Sequence, residues 1–204
     1  MRLKTQVAIV RSIAAPEAAG ECGIEDAVAL EAVVLADKSR IAITPPALLR
    51  CTFAEAIVNW VREDLAPAAR SLNARLDSLD NYASYDCRGR NRVLGAKISE
   101  HGKGNALDVR SLKLANGTVV HLTDTTVPID LRARLRAQAC ARFTTVLGPG
   151  SDGFHEDHIH VDLAERRSGY RMCQWELREP NEETAPAVSV PLPRPHPARK
   201  QPHT

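Results

Sequence analysis

Two short stretches, one opening at Phe154 and one at Ser99, hold four of the chain's seven histidines, and they dictate what the rest of it has to build. From His158 onward, His158-Ile159-His160-Val161-Asp162-Leu163 alternates polar and apolar residues. A strand sends successive side chains to opposite faces, so His158, His160 and Asp162 point one way while Ile159, Val161 and Leu163 enter a core. The second stretch, Ser99-Glu100-His101-Gly102-Lys103-Gly104-Asn105-Ala106-Leu107-Asp108-Val109, ends in the same alternation, with Leu107 and Val109 inward and Asp108 outward. Its Gly102 and Gly104 allow a tight backbone ahead of that strand. Two imidazoles one residue apart on a stiff strand offer converging donors at small entropic cost, and nitrogen and oxygen donors without thiolate suit zinc. The two stretches are therefore expected to be halves of one metal site. Only a fold that lays them side by side satisfies this.

A zinc ion with three protein ligands keeps a fourth position for water. His101, Asp108 and one of the pair His158/His160 make such a ligand set. His158, His155 and Asp157 share one short segment and are the candidates for moving protons. Asp162 is placed to hold a histidine in one tautomer. His121 alternates with Val120 and Leu122 and reads as a solvent-facing strand residue, and His196 and His203 receive no role.

With 204 residues, 44% hydrophobic and 25% charged, the chain has the make-up of one well-buried globular domain with tails. A formal net charge of +2 without a long basic run, and aromatic residues at only 4%, argue against nucleic acid as a partner. No segment approaches the roughly 20 apolar residues that cross a bilayer, so no transmembrane segment is expected. Five cysteines, at 22, 51, 87, 140 and 173, are spread along the chain without a C-x-x-C pair. Two disulfides with one thiol left over fit an exported protein. Met1-Arg2-Leu3-Lys4, the short apolar Val7-Ala8-Ile9-Val10 and the alanines before Gly20 resemble a shortened export signal. The expected location is periplasmic or secreted; the sequence leaves the oligomeric state open.

In chain order, residues 1–20 are expected to be poorly ordered. A strand is expected over Leu30–Ala36, closed by a turn at Thr44-Pro45-Pro46. Thr52-x-x-Glu55 reads as a capping box opening a helix whose Phe53, Ile57, Trp60, Val61 and Leu65 recur at helical spacing, with Pro67 ending or distorting it. Leu76–Cys87 suits a strand. Asn116-Gly117 signals a two-residue hairpin joining Ala106–Leu114 to Thr118–Leu122. A second helix begins near Pro128 and buries Leu131, Leu135, Ala139 and Phe143, followed by a short strand at Thr144–Leu147 and a break at Gly148-Pro149-Gly150. The main domain spans 21–176, and the proline-rich segment 177–204 is expected to be a disordered tail. The order of elements predicts an α+β fold in which an antiparallel sheet carries the zinc site, flanked by helices.

These residues resemble known families. Ser99-x-His101-x-x-Gly104-x-Ala106-x-Asp108 looks like the first zinc motif of the D-Ala-D-Ala metallopeptidases, a group that includes lysostaphin-type enzymes and the hedgehog signalling domain. His155-x-x-His158-x-His160 is similar to the penicillin-insensitive murein endopeptidases, and Asp157-x-x-His160 resembles the Glu-x-x-His of the dipeptidases with aspartate replacing glutamate. The broadest resemblance is to the bacterial extensin-like C-terminal domain. It runs through Cys22-Gly23-Ile24, Leu49-Arg50-Cys51, Ser84-Tyr85-Asp86-Cys87-Arg88, Ser99-Glu100-His101, Thr145–Pro149 and His155–Leu163.

The resemblance implies a hedgehog/D-Ala-D-Ala peptidase-like fold with zinc on His101, Asp108 and His160, and with His158 as catalytic partner beside Asp157 and His155. Arg88 stands where related peptidases carry an arginine that grips a substrate carboxylate, and Ser99 at the head of the motif goes with it on the substrate-binding side. The implied activity is a zinc metallopeptidase cutting peptidoglycan stem peptides at a D-amino-acid-containing amide. The alternative is a zinc-containing cell-wall binding module without turnover, since the dipeptidase glutamate is not reproduced in register. A third reading is a structural cell-envelope protein.

Overall fold

A computed structural model describes residues 6–16, 20–93 and 95–179. Most of the secondary structure comes from apolar, β-branched runs. The strands are β1 (Ala8–Ser12), β2 (Ala27–Val34), β3 (Arg40–Arg50), β4 (Leu76–Ala83), β5 (Ala106–Leu114), β6 (Val119–His121), β7 (Thr145–Leu147), β8 (Ile159–Asp162) and β9 (Met172–Gln174). They join one sheet in the order β1-β2-β3-β4-β5-β8-β7-β9, with β6 paired to β5 off that path. The helices are α1 (Cys51–Trp60), which runs through a π-helical turn (Val61–Leu65) into α2 (Ala66–Arg70), and α3 (Ile129–Arg142). The fold is α+β with a mostly sheet core.

The strands expected to carry the site, β5 and β8, pair antiparallel, while elsewhere in the sheet β3 pairs parallel with β4, and β7 with β9. A helical crossover joins β3 to β4, and such a connection returns the chain in the same direction. Strand β2 reads Ala-Val-Ala-Leu-Glu-Ala-Val-Val and is almost continuously buried, as a strand covered on both faces should be. Phe53, Ile57, Trp60, Val61 and Leu65 are all buried on the sheet side of α1 and its π-helical turn. Trp60 meets Phe143, just beyond α3, edge to face at 5.3 Å between ring centroids. Leu131, Leu135 and Ala139 complete the buried side of α3.

Several local expectations change in the folded chain. Ala8–Ser12, placed by sequence in an unordered segment, pairs with β2 through Val28–Val33, because that strand offers an apolar edge to alternate Ala8 and Val10. Thr44-Pro45-Pro46 is no turn but lies inside β3, where Leu30 pairs with Ala47 and Ala32 with Ala42. Only Glu31 therefore faces residues 43–46, and a bulge is where prolines lacking an N–H are tolerated. The capping box does not form. Arg50 is the N-cap without a side-chain bond, and the Arg50 and Cys51 N–H groups donate to the Gly104 and Asp26 carbonyls. The helix leaves β3 directly, so neighbouring backbone takes the work of a cap. Pro67 distorts the helix rather than ending it, following the π-helical turn. The strand expected to reach Cys87 stops at Ala83. Asn116-Gly117 does make the hairpin, but with a three-residue loop: Leu114 N–H donates to Thr118 O, Gly117 N–H donates to Leu114 O, and Gly117 sits at φ +87°. Of the proline-rich segment 177–204, residues 177–179 are described and the rest lies outside the described residues, as does the basic start Met1–Lys4.

Disulfides join Cys22 to Cys87 and Cys140 to Cys173, and the remaining cysteine, Cys51, opens α1. The second bridge ties the end of α3 to the edge strand β9, across a sequence separation of 33. Closing a loop of that size restricts the unfolded chain by about 3–4 kcal/mol in the chain-entropy account. Replacing Cys140 and Cys173 together by serine should lower the unfolding free energy by that order in urea titrations.

Candidate metal centre

β5 and β8 pair antiparallel, with Asp108 directly opposite His160, Leu107 opposite Val161 and Val109 opposite Ile159. The apolar residues of both strands are fully buried, which turns Asp108 and His160 together onto the other face. His101 comes from the 3-10 turn Glu100–Lys103 just before β5. That turn closes on Gly104 at φ +59°, where a Cβ would meet the Arg50 nitrogen at 2.9 Å, so only glycine fits without displacement.

Three donor atoms converge. His101 Nε2 is 3.1 Å from His160 Nδ1 and 3.2 Å from Asp108 Oδ1, and His160 Nδ1 is 2.8 Å from the same oxygen. All three residues are buried. Their neighbours settle where the ring protons sit. His101 Nδ1 lies 2.6 Å from the Ser84 carbonyl oxygen, which can only accept, so Nδ1 carries the hydrogen and Nε2 turns a lone pair inward. His160 Nε2 lies 3.1 Å from Asp162 Oδ2, so the ionised carboxylate takes Nε2–H and leaves Nδ1 as the second inward lone pair. Asp108 supplies the third.

Three lone pairs aimed at one another require a cation between them. In the metal-free protein a proton takes that place. Burial pushes the His160 imidazole down, but Asp108 and Asp162 outweigh it and raise it to about 9. Burial pushes the Asp108 carboxyl up, yet hydrogen bonds from His101 and His160 hold it far below the carboxylate range. The donor set also fits a metal. Bonds of about 2.0–2.1 Å to tetrahedral zinc put donors about 3.3 Å apart, close to the separations here. His101, Asp108 and His160 thus form a group that could hold a metal ion.

The group borders a cavity of about 710 Å³. His158 and His155 line it, together with Arg88, Arg90, Arg92 and Arg166. His158 Nδ1 faces Asp157 Oδ1 at 2.8 Å, while Nε2 is 3.7 Å from Asp108 Oδ2. His155 Nδ1 faces Asp152 Oδ1 at 2.7 Å, and burial lowers its pKa despite that partner. Arg88 lines the cavity with its Nε donating to Asp86 Oδ2 at 3.0 Å.

Two further residues named from sequence stand apart from the three converging donors. Asp157 is exposed outside the cavity, between His158 and Arg110, whose Nη2 is 3.5 Å away. Ser99 is buried at the cavity wall, and its Oγ accepts the His101 N–H at 3.4 Å as cap of the 3-10 turn. Sequence reading missed the Ser84 carbonyl, which carries no side-chain signal, and Asp152, whose Asp-x-x-His spacing to His155 could have been noticed.

These features define a class: an α+β domain whose sheet sets two histidines and an aspartate beside an arginine-bearing cleft. The chain matches the family described as Extensin-like protein C-terminus over residues 1–174, and it belongs to that family. Searches of curated proteins and of solved structures return no match. Among the described residues no helix is long and apolar enough to cross a membrane.

The electrostatics carry a pH signature. The folded value of His160 lies above the ordinary value near 6.5, so the stability it contributes is fully present below about 6.5 and is lost as pH rises through about 9. Chelator-treated protein should therefore melt at progressively lower temperature between those limits, and saturating zinc should flatten that slope by replacing the proton.

Proposed function

We propose that this protein is a zinc-dependent peptidase acting on peptidoglycan stem peptides, at an amide that involves a D-amino acid. The observation that carries this reading is the buried convergence of His101, Asp108 and His160, with donor atoms no more than 3.2 Å apart, beside a cavity that also holds two further histidines. When bound, zinc acidifies water and polarises a carbonyl. The remaining work falls to the chain. With Nδ1–H given to Asp157, His158 turns its Nε2 toward the cluster, where it can take a proton from attacking water and return it to the leaving amine. His155, kept neutral by burial and anchored on Asp152, is the alternative proton carrier. Arg88, with Nε engaged by Asp86, keeps its two terminal nitrogens for a peptide carboxylate. Both disulfides favour an oxidising location, periplasmic or secreted.

A second reading, a zinc-containing module that binds stem peptides without turnover, draws on the acidic residues. Asp157 lies outside the cavity, and Glu100, Asp108, Asp152 and Asp162, which line it, are each engaged by lysine, asparagine or histidine. Proton transfer would rest on imidazole alone.

Metal analysis combined with mass spectrometry of muropeptide digests separates the two. Stoichiometric zinc with new products supports the peptidase, zinc with binding but no product supports the module, and absence of zinc sinks both. His101→Ala and His160→Ala should each abolish bound zinc and cleavage together. Arg88→Ala should raise KM about 10- to 100-fold for peptides with a free C-terminal carboxylate and leave kcat nearly unchanged, the loss of one charge-assisted contact.

A further inference from the structure

One half-buried cation on the cavity wall is left without a counter-charge by the proposed chemistry. Arg166, in the loop after β8, lines the cavity. Its guanidinium is held in place: Nη1 donates to the Thr144 carbonyl at 3.1 Å and the Tyr170 carbonyl at 3.4 Å, and Nη2 to Thr145 Oγ1 at 2.7 Å. These acceptors are neutral, and among the described residues no carboxylate pairs with this arginine. Of the N–H bonds of its guanidinium, Nε–H and one on Nη2 stay unused. The acids lining the same cavity do not serve it, because Glu100, Asp108, Asp152 and Asp162 are each engaged by lysine, asparagine or histidine. Holding a cation partly out of water with no opposite charge is unfavourable, and an anion carried in by a ligand removes that cost.

The place of Arg166 in the sheet says which anion. Asp108 and His160 stand on β5 and β8, in the strand order β4-β5-β8-β7. Arg88 follows β4, its carbonyl accepting from the Ser99 N–H, whereas Arg166 is bonded to the first residue of β7 and the one before it. The two guanidiniums therefore flank the metal group, beside strands that are three spacings, or roughly 14 Å, apart. A compact anion cannot serve both; a chain lying across the metal group can. We propose that Arg166 forms a second carboxylate subsite, so that the cleft takes peptides bearing an acidic group on each side of the amide to be cut. This rests on the stem-peptide reading above, which uses Arg88 alone, and narrows it to polyanionic peptides. The free C-terminal carboxylate goes to Arg88, and an internal side carboxylate goes to Arg166.

Titration calorimetry of the chelator-treated full chain, which holds no metal to drive turnover, tests this with synthetic stem peptides. Three are compared: all carboxylates free, internal carboxylates amidated, and the C-terminal carboxylate alone amidated. For the wild type, internal amidation should weaken binding about 10- to 100-fold, the loss of one charge-assisted contact. Arg166→Gln should bind the all-acid peptide that much more weakly and be indifferent to internal amidation, while still losing affinity on C-terminal amidation. Arg88→Gln should show the mirror pattern. Melting curves check that each variant is folded. Should Arg166→Gln not fold, equal binding of the acid and internally amidated peptides by the wild type still overturns the proposal. That result, or an Arg166→Gln protein that discriminates between the two as the wild type does, removes the subsite and leaves the stem-peptide reading standing. A wild type that binds none of the three peptides overturns both.

Discussion

Backbone pairing between β5 and β8 sets Asp108 across from His160, and the chemistry of the cleft follows from that register. Side chains alternate along a strand, so a slip of one residue would send His160 into the core and bring Ile159 or Val161 to the cleft. Leu107, Val109, Ile159 and Val161, all fully buried, make that slip costly. Each would expose apolar surface worth about 25 cal/mol per Å², while an imidazole and a carboxylate lost their partners. Apolar packing on one face therefore enforces polar geometry on the other.

The polar face is concentrated rather than scattered. His101, Asp108, His160 and Asp162 are buried together, and none could stand there alone, because an isolated charge in such surroundings is strongly disfavoured. Each is satisfied by the next, from the Ser84 carbonyl through His101, Asp108 and His160 to Asp162 and the Ala164 N–H. The chain of contacts crosses β5 and β8, so the site is as rigid as the sheet. Nearby anchors serve the same end: the Cys22–Cys87 bridge and Gly104 hold the turn that delivers His101.

Much of this was legible without coordinates because it depends on local periodicity. The alternation in His158–Leu163 and in Ala106–Val109 announced two strands with their buried faces, and the helical spacing of Phe53, Ile57, Trp60, Val61 and Leu65 announced α1. Asp162 was readable as a histidine's partner from its place two residues along the same strand. What escaped was whatever a distant strand decides. Pro45 and Pro46 look like a turn until β2 supplies a single residue opposite them. Thr52 looks like a cap until Gly104 and Asp26 take the N–H groups of Arg50 and Cys51. Asp157 is named by its spacing alone, and the structure sets it between His158 and Arg110.

By itself the sequence determined which residue types would share a face, since that follows from the covalent geometry of a strand or helix and needs no neighbour. It also determined the chemistry on offer, two imidazoles and a carboxylate without thiolate. Only the tertiary structure decided which lone pairs meet. The direction of a ring's lone pair is settled by the acceptor behind the ring, and for His101 that acceptor, the Ser84 carbonyl, comes from a part of the chain 17 residues away.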